Sequence, residues 1–392
     1  MLRSLFSGIS GLRTHQQMMD VTGNNIANVN TTGFKASQTV FEDTLSQMIK
    51  AASAPRDEFG GTNPSQIGLG VRLASVTTSF TQGSAQSTGR STDLMVSGDG
   101  FFVLRNDNDL TYTRAGAFSF DANGRLCNPD GMIVQGWPGV SGAVDTNIAP
   151  GDVTLPVGIL LPPVASTAIT ISGNLPADTT STTPVSQSIT TYDGQGSEVI
   201  VTATWTRNSA TSWDVVVSDG TTTAPAATVA FTADGSTPTP TSLAFGGIAI
   251  DISGVSSYAG KATIAAQSQD GSAMGSLSGF IISPDGLVIG TFTNGLKQTL
   301  AQIALANFNN PPGLEKIGET MFRDTINSGL AQLGQPGAGG RGTLITGSLE
   351  MSNVDLGQEF TGLIIAQRGF QANSKIISAS DELLQDLVNM KR

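Results

Sequence analysis

Two stretches of the chain, one at each end, repeat their apolar residues every seven positions. Near the C-terminus Leu356, Leu363, Phe370, Ile377 and Leu384 form the row, and Phe360 and Val388 extend a second row four residues on. Near the N-terminus the row is Leu5, Leu12, Met19 and Ile26, with Leu2 and Ile9 beginning a companion row. A seven-residue apolar period is the seam of a coiled coil. The C-terminal helix it predicts, over residues 352–392, runs roughly 50 Å at about 1.5 Å per residue, more than a small domain can cover. It needs a partner, and the N-terminal helix supplies one. Ser352 or Asn353 is the expected N-cap of the C-terminal helix, with Asp355 as a favourable first-turn acid. Its companion row turns polar at Gln367, Ser374 and Asp381, which suits a surface completed by further copies better than a simple two-stranded coil. Gly8, Gly11 and Gly23 lie inside the N-terminal helix. Each costs about 1 kcal/mol relative to Ala, so this helix is marginal alone. The run Asn24-Asn25-Ile26-Ala27-Asn28-Val29-Asn30-Thr31-Thr32-Gly33-Phe34-Lys35 is rich in side chains that bond backbone, and should stop the helix at about Asn30 to Gly33.

Between the helices the period changes to two. Residues 34–70 hold a short amphipathic piece, Phe41, Leu45, Met48 and Ile49, followed by breakers at Pro55, Gly60, Gly61 and Pro64, and read as a connecting segment. From Val71 onward alternating residues predict strands, including Leu94 to Val96 and Phe101 to Leu104 with Gly98-Asp99-Gly100 as the turn between them. Phe118 to Leu126 reads as a hairpin with Asn123-Gly124 at its tip, and Ile281 to Ile289 repeats the pattern around Asp285-Gly286. Two related hairpins so far apart imply one β domain, 71–142 and 273–322, interrupted by an insertion, 143–272. The insertion is rich in Thr and Ser and low in charge, with strands expected at Val199 to Trp205, Trp213 to Val217, Leu243 to Ile252 and Ala262 to Gln267. It reads as a β-sandwich or barrel, with mucin-like disorder as the alternative for 166–188. A second connecting segment, 323–351, contains Gly337, Gly339 and Gly340 in a Gly-Pro-rich link. Gly60, Gly61 and these three glycines are the candidate hinges. The expected fold is therefore multidomain α+β: a terminal helical coiled coil (1–33 and 352–392) carrying two mainly-β domains, the second inserted in the first.

Composition narrows the function. A charged fraction of 13% is about half the usual share, against 47 glycines, and suits β domains and surfaces that pack on other protein. A formal net charge of −11 offers no basic field to nucleic acid or an anionic membrane. No apolar run approaches the ~20 residues of a membrane span. Residues 1–9 are amphipathic and lack the pattern of a cleaved secretory signal. With that signal absent, the Asn30-Thr31-Thr32 sequon is read as chance.

Candidate chemistry is sparse. With one cysteine, Cys127, no intramolecular disulfide is possible. Cys127 is expected as a part-buried strand residue. One histidine, His15, and one cysteine do not build a metal site or a nucleophilic triad, and His15 is expected as an exposed helical residue. Asp121, Asp193 and Asp285 sit beside Gly in turns, where Asp bonds backbone. Gly337, Gly339 and Gly342 match a dinucleotide fingerprint by letter, yet follow a Pro-Gly link in place of a buried strand. Neither an enzyme nor a cofactor site is expected.

The residues do resemble a family. Asn24, Asn25, Asn28, Thr32, Gly33 and Phe34 stand in a run that is similar to the N-terminal signature of bacterial flagellar rod and hook proteins, and Gly98-Asp99-Gly100-Phe101-Phe102 resembles their next block. Leu349 to Phe360 and Ala366 to Lys375 resemble hook proteins in particular, with Gly369 standing where the family usually carries Ala. The resemblance implies a structural subunit that polymerises into the curved hook, a universal joint between rod and filament. It implies extracellular assembly on the flagellum after export by the flagellar type III apparatus without a cleaved signal peptide. The implied partners are further copies of itself, the distal rod protein, the hook cap protein, the hook-filament junction protein and that export apparatus. A distal rod protein of the same family, or an extracellular adhesin on a helical stalk, is the alternative.

Overall fold

A computed structural model describes residues 2–55, 60–107, 109–140, 142–155, 158–178 and 183–390, with only the backbone of Leu2, Leu387 and Val388. The side chain of Val388, a predicted seam residue, thus lies outside what is described. Among the described residues there are two α-helices, α1 (Leu2–Ala27) and α2 (Leu356–Asn389), and the rest is mostly β. The chain forms two compact units. One comprises Met1–Pro156, Ile281–Ile289 and Thr299–Arg392; the other comprises Val157–Phe280 and Gly290–Gln298.

Both helix ends fall where side chains can satisfy the backbone, though not where the sequence suggests. α1 ends a turn earlier than predicted, because Asn28 Nδ2 donates to the Asn24 carbonyl at 2.9 Å, and the chain reverses at Gly33 with φ +69°. For α2 the N-cap is Asp355, whose Oδ1 accepts from the amides of Gly357 (2.8 Å) and Gln358 (3.2 Å). Asn353, an expected cap, is committed elsewhere, and Ser352 Oγ accepts from Val354 N.

In the first unit, the described part of residues 34–70 contains paired strands. Strand β1 (Ser37–Asp43) pairs antiparallel with β4 (Val71–Thr78), and β2 (Ser46–Lys50) with β3 (Ser65–Gly68). The predicted amphipathic piece is divided between β1 (Phe41), the link after it (Leu45) and β2 (Met48 and Ile49), with Leu45, Met48 and Ile49 exposed. The strand Leu94–Ser97 does not form a hairpin with Phe101–Asn106 across Gly98-Asp99-Gly100; it pairs with Thr343–Thr346. The turn hands the chain from one sheet to another. Phe101–Asn106 pairs with Asp109–Thr113, residues 133–134 and Leu305–Asn307. Over this sheet Phe101, Tyr112, Phe308 and Phe322 form an aromatic core with Phe80, ring centroids 4.8–5.9 Å apart. Both predicted hairpin tips are turns: Gly124 has φ +76°, and Gly286 φ +77° with Ser283 N bonded to Leu287 O.

The second unit is a two-sheet sandwich. Val185–Tyr192, Glu198–Arg207, Ser212–Ser218, Ala227–Phe231 and Pro238–Thr239 form one sheet. Ser242–Phe245, Ile248–Tyr258, Ala168–Pro176 and Ala265–Gln269 form the other. They share one core around Trp205 and Trp213. The stretch read as one strand, Leu243 to Ile252, is a hairpin turning on Gly246-Gly247, both with positive φ, as a two-residue loop requires. Residues 168–176 and 185–192 are strands, which removes the mucin-like reading there; residues 179–182 lie outside the described chain.

Candidate assembly surface

α1 and α2 run antiparallel, and their contact is a zipper of small against large residues. A Cβ at Gly8 would touch Ile377 Cγ1 at 3.5 Å, and one at Gly11 would overlap the Asn373 carboxamide at 2.7–2.9 Å. One at Gly369 would lie 2.5 Å from His15 Nε2 and 2.7 Å from Nδ1, and one at Gly362 would meet Met18 and Thr22 at 3.8–3.9 Å. Asn25 Nδ2 donates to Glu359 Oε1 at 2.9 Å at the end of the row. Two of the helix glycines that weaken α1 in isolation, Gly8 and Gly11, are therefore where α2 comes close, while Gly23 faces open space. His15 is half-buried, not exposed, and its ring meets Phe41 edge-on at 6.0 Å.

Of the predicted seam, Ile377 lies against Gly8 in the zipper; Leu5, Ile9, Leu12, Met19 and Ile26 on α1, and Leu363, Phe370, Ile377 and Leu384 on α2, are half-buried, while Leu356 and Phe360 are exposed. Ile364, 58% exposed, stands with Phe360 and Ile365 on a part of α2 that the single chain leaves uncovered. A heptad alone does not reveal the glycines at the closest approach.

Below the helices, the two ends of the chain are clasped to the β region. Lys35 Nζ lies 2.6 Å from Glu350 Oε1 and donates to Thr81 O at 2.8 Å. Gly83 N donates to the same carboxylate oxygen at 3.0 Å, and Arg114 Nη1 lies 3.5 Å from Oε2, its guanidinium over the Phe101 ring. The side chains of Lys35 and Glu350 are 0% exposed. Burial pushes the Lys35 ammonium below its ordinary pKa, opposed by Glu350, and burial likewise lowers Arg114. The Gly33 amide donates to the Glu350 carbonyl at 2.7 Å. Asn353 accepts from Ala36 N (2.8 Å) and donates to Ser79 O (2.9 Å), while Asn25 exchanges bonds with both backbone groups of Ser37.

The signature residues serve this clasp. Thr31 Oγ1 bonds Asn28 Oδ1 at 3.0 Å, and Phe34 lies under Lys316 Nζ, 5.1 Å from its ring centroid. Asn24, Asn28, Gly33 and Phe34 line a cavity of about 310 Å³ with Lys316 and Phe322, and Thr32 lines a neighbouring one. Sequence reasoning missed the ion triad. The signal was available, since Lys35 is the one charge in residues 21–35 and Glu350 the one charge in 343–354.

The candidate hinges are not free links. Gly60 and Gly61 belong to the β2–β3 arm, beside the bridge of Ser53 to Thr62. Gly337, Gly339 and Gly340 have φ of +76°, +60° and +78° in a bonded turn, with Gly337 N to Gly342 O at 2.9 Å, Gly342 N to Asp99 O at 2.6 Å and Arg341 Nε to Gln335 O at 3.1 Å. Glycine is used there for left-handed backbone. Cys127 is buried, and burial raises its thiol pKa. Among the described residues no cluster could hold a metal and no helix is long and apolar enough to cross a membrane.

Comparison with known proteins agrees with this geometry. Residues 5–35, around α1 and the signature, match the family described as flagella basal body rod protein. Residues 95–180 match the flagellar hook protein FlgE/F/G D1 domain, and residues 345–390 the C-terminal region of flagellar basal body rod FlgEFG proteins. The chain is similar to the flagellar hook protein FlgE of Borreliella burgdorferi, 38% identical over 443 residues, and to that of Treponema pallidum, 36% over 463, each covering 100% of both chains. The flagellar basal-body rod protein FlgG of Bacillus subtilis is 34% identical over 393 residues, again covering 100% of both. In structure, the Helicobacter pylori flagellar hook protein FlgE2 aligns with a TM-score of 0.50 at 15% identity, covering 68% of this chain and 100% of the other. The chain belongs to the flagellar hook protein FlgE/FlgF/FlgG family.

Proposed function

We propose that the chain is the structural subunit of the flagellar hook, a helical polymer of its own copies that joins rod to filament and transmits torque as a flexible coupling. The observation that carries this is the division of labour on α2. Its glycines Gly362 and Gly369 face α1, while the large apolar residues Phe360, Ile364 and Ile365 remain outside, as an open-ended, heterologous interface needs. Full-length similarity to hook proteins FlgE supports hook over rod, while similarity to FlgG keeps the straight distal rod as the second reading. In this reading the parts are the helical core (1–33 and 352–392), the connecting segments (34–70 and 323–351), the β domain (71–142 and 273–322) and the inserted outer β domain (143–272). The subunit leaves the cell through the flagellar export apparatus and meets the distal rod, hook cap and hook-filament junction proteins at the ends of the polymer. Bonded as they are, the glycine turns at 60–61 and 337–340 are where β domains shift against the core, if any segment yields.

Ile364→Asp tests the assembly reading. The site is exposed in the single chain, so folding should change by no more than about 0.5 kcal/mol. Burial of an isoleucine between copies is worth roughly 1.5–3 kcal/mol, so the concentration needed for polymerisation should rise about ten- to hundredfold. Tubes that form at the parent concentration, seen by electron microscopy, sink the reading.

A further inference from the structure

We infer that His15 and Gly369 are a matched pair that fixes the register of α1 on α2, making His15 a positioning residue for the apolar surface presented to the next copy. The inference rests on the assembly reading above only for its last clause. The imidazole fills the space of the missing side chain at Gly369: three ring atoms lie where a Cβ would stand. Phe41 packs edge-on against the same ring, with 6.0 Å between centroids. Its Nδ1 is buried without a hydrogen-bond partner, so the ring is held there by shape and not by a polar contact.

The neighbouring rungs make this place unique. One helical turn from Gly369 in either direction stand Ala366, which is fully buried, and Asn373, which itself needs Gly11 opposite. A slip of α1 by one turn would bring the ring onto a residue that carries a Cβ, the same overlap that alanine at 369 would produce. Side chains on one helix face recur at this spacing, so Phe360, Ile364 and Ile365 keep a fixed height relative to α1 only while His15 sits on Gly369. A slip would offset the surface seen by an adjoining copy by roughly 5.4 Å, one helical pitch.

The experiment compares the full chain with Gly369→Ala, His15→Ala and the double variant. Hydrogen exchange across α1 and α2 is read in the single chain, and tube formation and axial repeat by electron microscopy. Gly369→Ala alone should lower amide protection in both helices at least tenfold and block or re-space the tubes. In the His15→Ala background the same substitution should raise protection, by roughly fivefold, because alanine is the better helix former once the ring is gone. That reversal of sign is the signature, since a merely weakened helix pair would lose in both backgrounds. Equal effects in the two backgrounds, or no loss in Gly369→Ala, overturn the inference. If the reversal appears but the unaltered chain forms no tubes, the register pair stands and the assembly reading falls.

Discussion

Replacing Glu350 by Gln removes one charge and almost no volume from the clasp, and should loosen both ends of the chain at once. The carboxylate faces two cations, Lys35 and Arg114, with Lys35 and Glu350 wholly buried. Removing one partner of a buried pair costs roughly 3–5 kcal/mol, because the other charge stays in a poor solvent. Lys35 has an escape, which is to lose its proton, and burial already pushes it that way. From an ordinary pKa of about 10.4, deprotonation at pH 7 costs about 1.36 kcal/mol per unit, or about 4.6 kcal/mol, which caps the Lys35 penalty. Arg114 has no such escape. A loss of about 4 kcal/mol corresponds to roughly a thousandfold fall in hydrogen-exchange protection where opening is local. The Gly33, Ala36 and Gly83 amides report it, since each bonds Glu350 or Asn353. Substituting Lys35→Met, Arg114→Met and Glu350→Leu together should recover most of the protection at Gly33 and Ala36, as apolar groups of similar volume often replace buried ion pairs without loss, but not at Gly83, whose acceptor is removed. Less than a tenfold change at those amides in Glu350→Gln would falsify the assignment of the triad as the clasp.

Two further tests concern titration. Asp270 is held down to about 2 by the Thr167 hydroxyl first, then by the amides of Ala168 and Thr167. A carboxyl lowered in the folded state contributes stability in full above about pH 4 and loses it as pH falls toward 2. Asp270→Asn should flatten the acid side of the melting curve of the second unit between those values; an unchanged slope contradicts it. Tyr112 is pushed up to about 12, by burial and then by Asp324. Its contribution is complete below the ordinary tyrosine value of about 10 and is lost as pH rises through 12. Phenolate absorbance should show a last-titrating tyrosine that is missing in Tyr112→Phe.

The elements that were legible in the sequence are those with a strong local period or a forced turn. The two helices, the Asn-Gly and Asp-Gly tips and the strands at Trp205 and Trp213 announce themselves in this way. What was hidden depends on a partner far along the chain. Leu94–Ser97 pairs with Thr343–Thr346, and no local pattern says so. The heptads identified the helices but not the glycines at their closest approach, because apolar periodicity weighs Leu and Phe and gives glycine no weight. Asp355 was seen as an acid near a helix start but not as its cap, because Asn353 looked equally good until its bonds to Ala36 and Ser79 were known. The link at 334–342 looked loose for the same reason: its glycines mark left-handed turns, and the hydrogen bonds that fix those turns come from Asp99 and Arg341.

The clasp also bears on when the molecule can fold. Lys35 and Glu350 are separated by 315 residues, and α1 waits for an α2 that begins at Leu356. Contacts of such sequence separation form late, and loop-closure entropy must be met before they return anything. A chain synthesised from its N-terminus cannot complete this base until residues 356–389 have been made, so α1, weakened by its own glycines, has no helix to pack on before then. Rigidity at the base arrives only with the last helix.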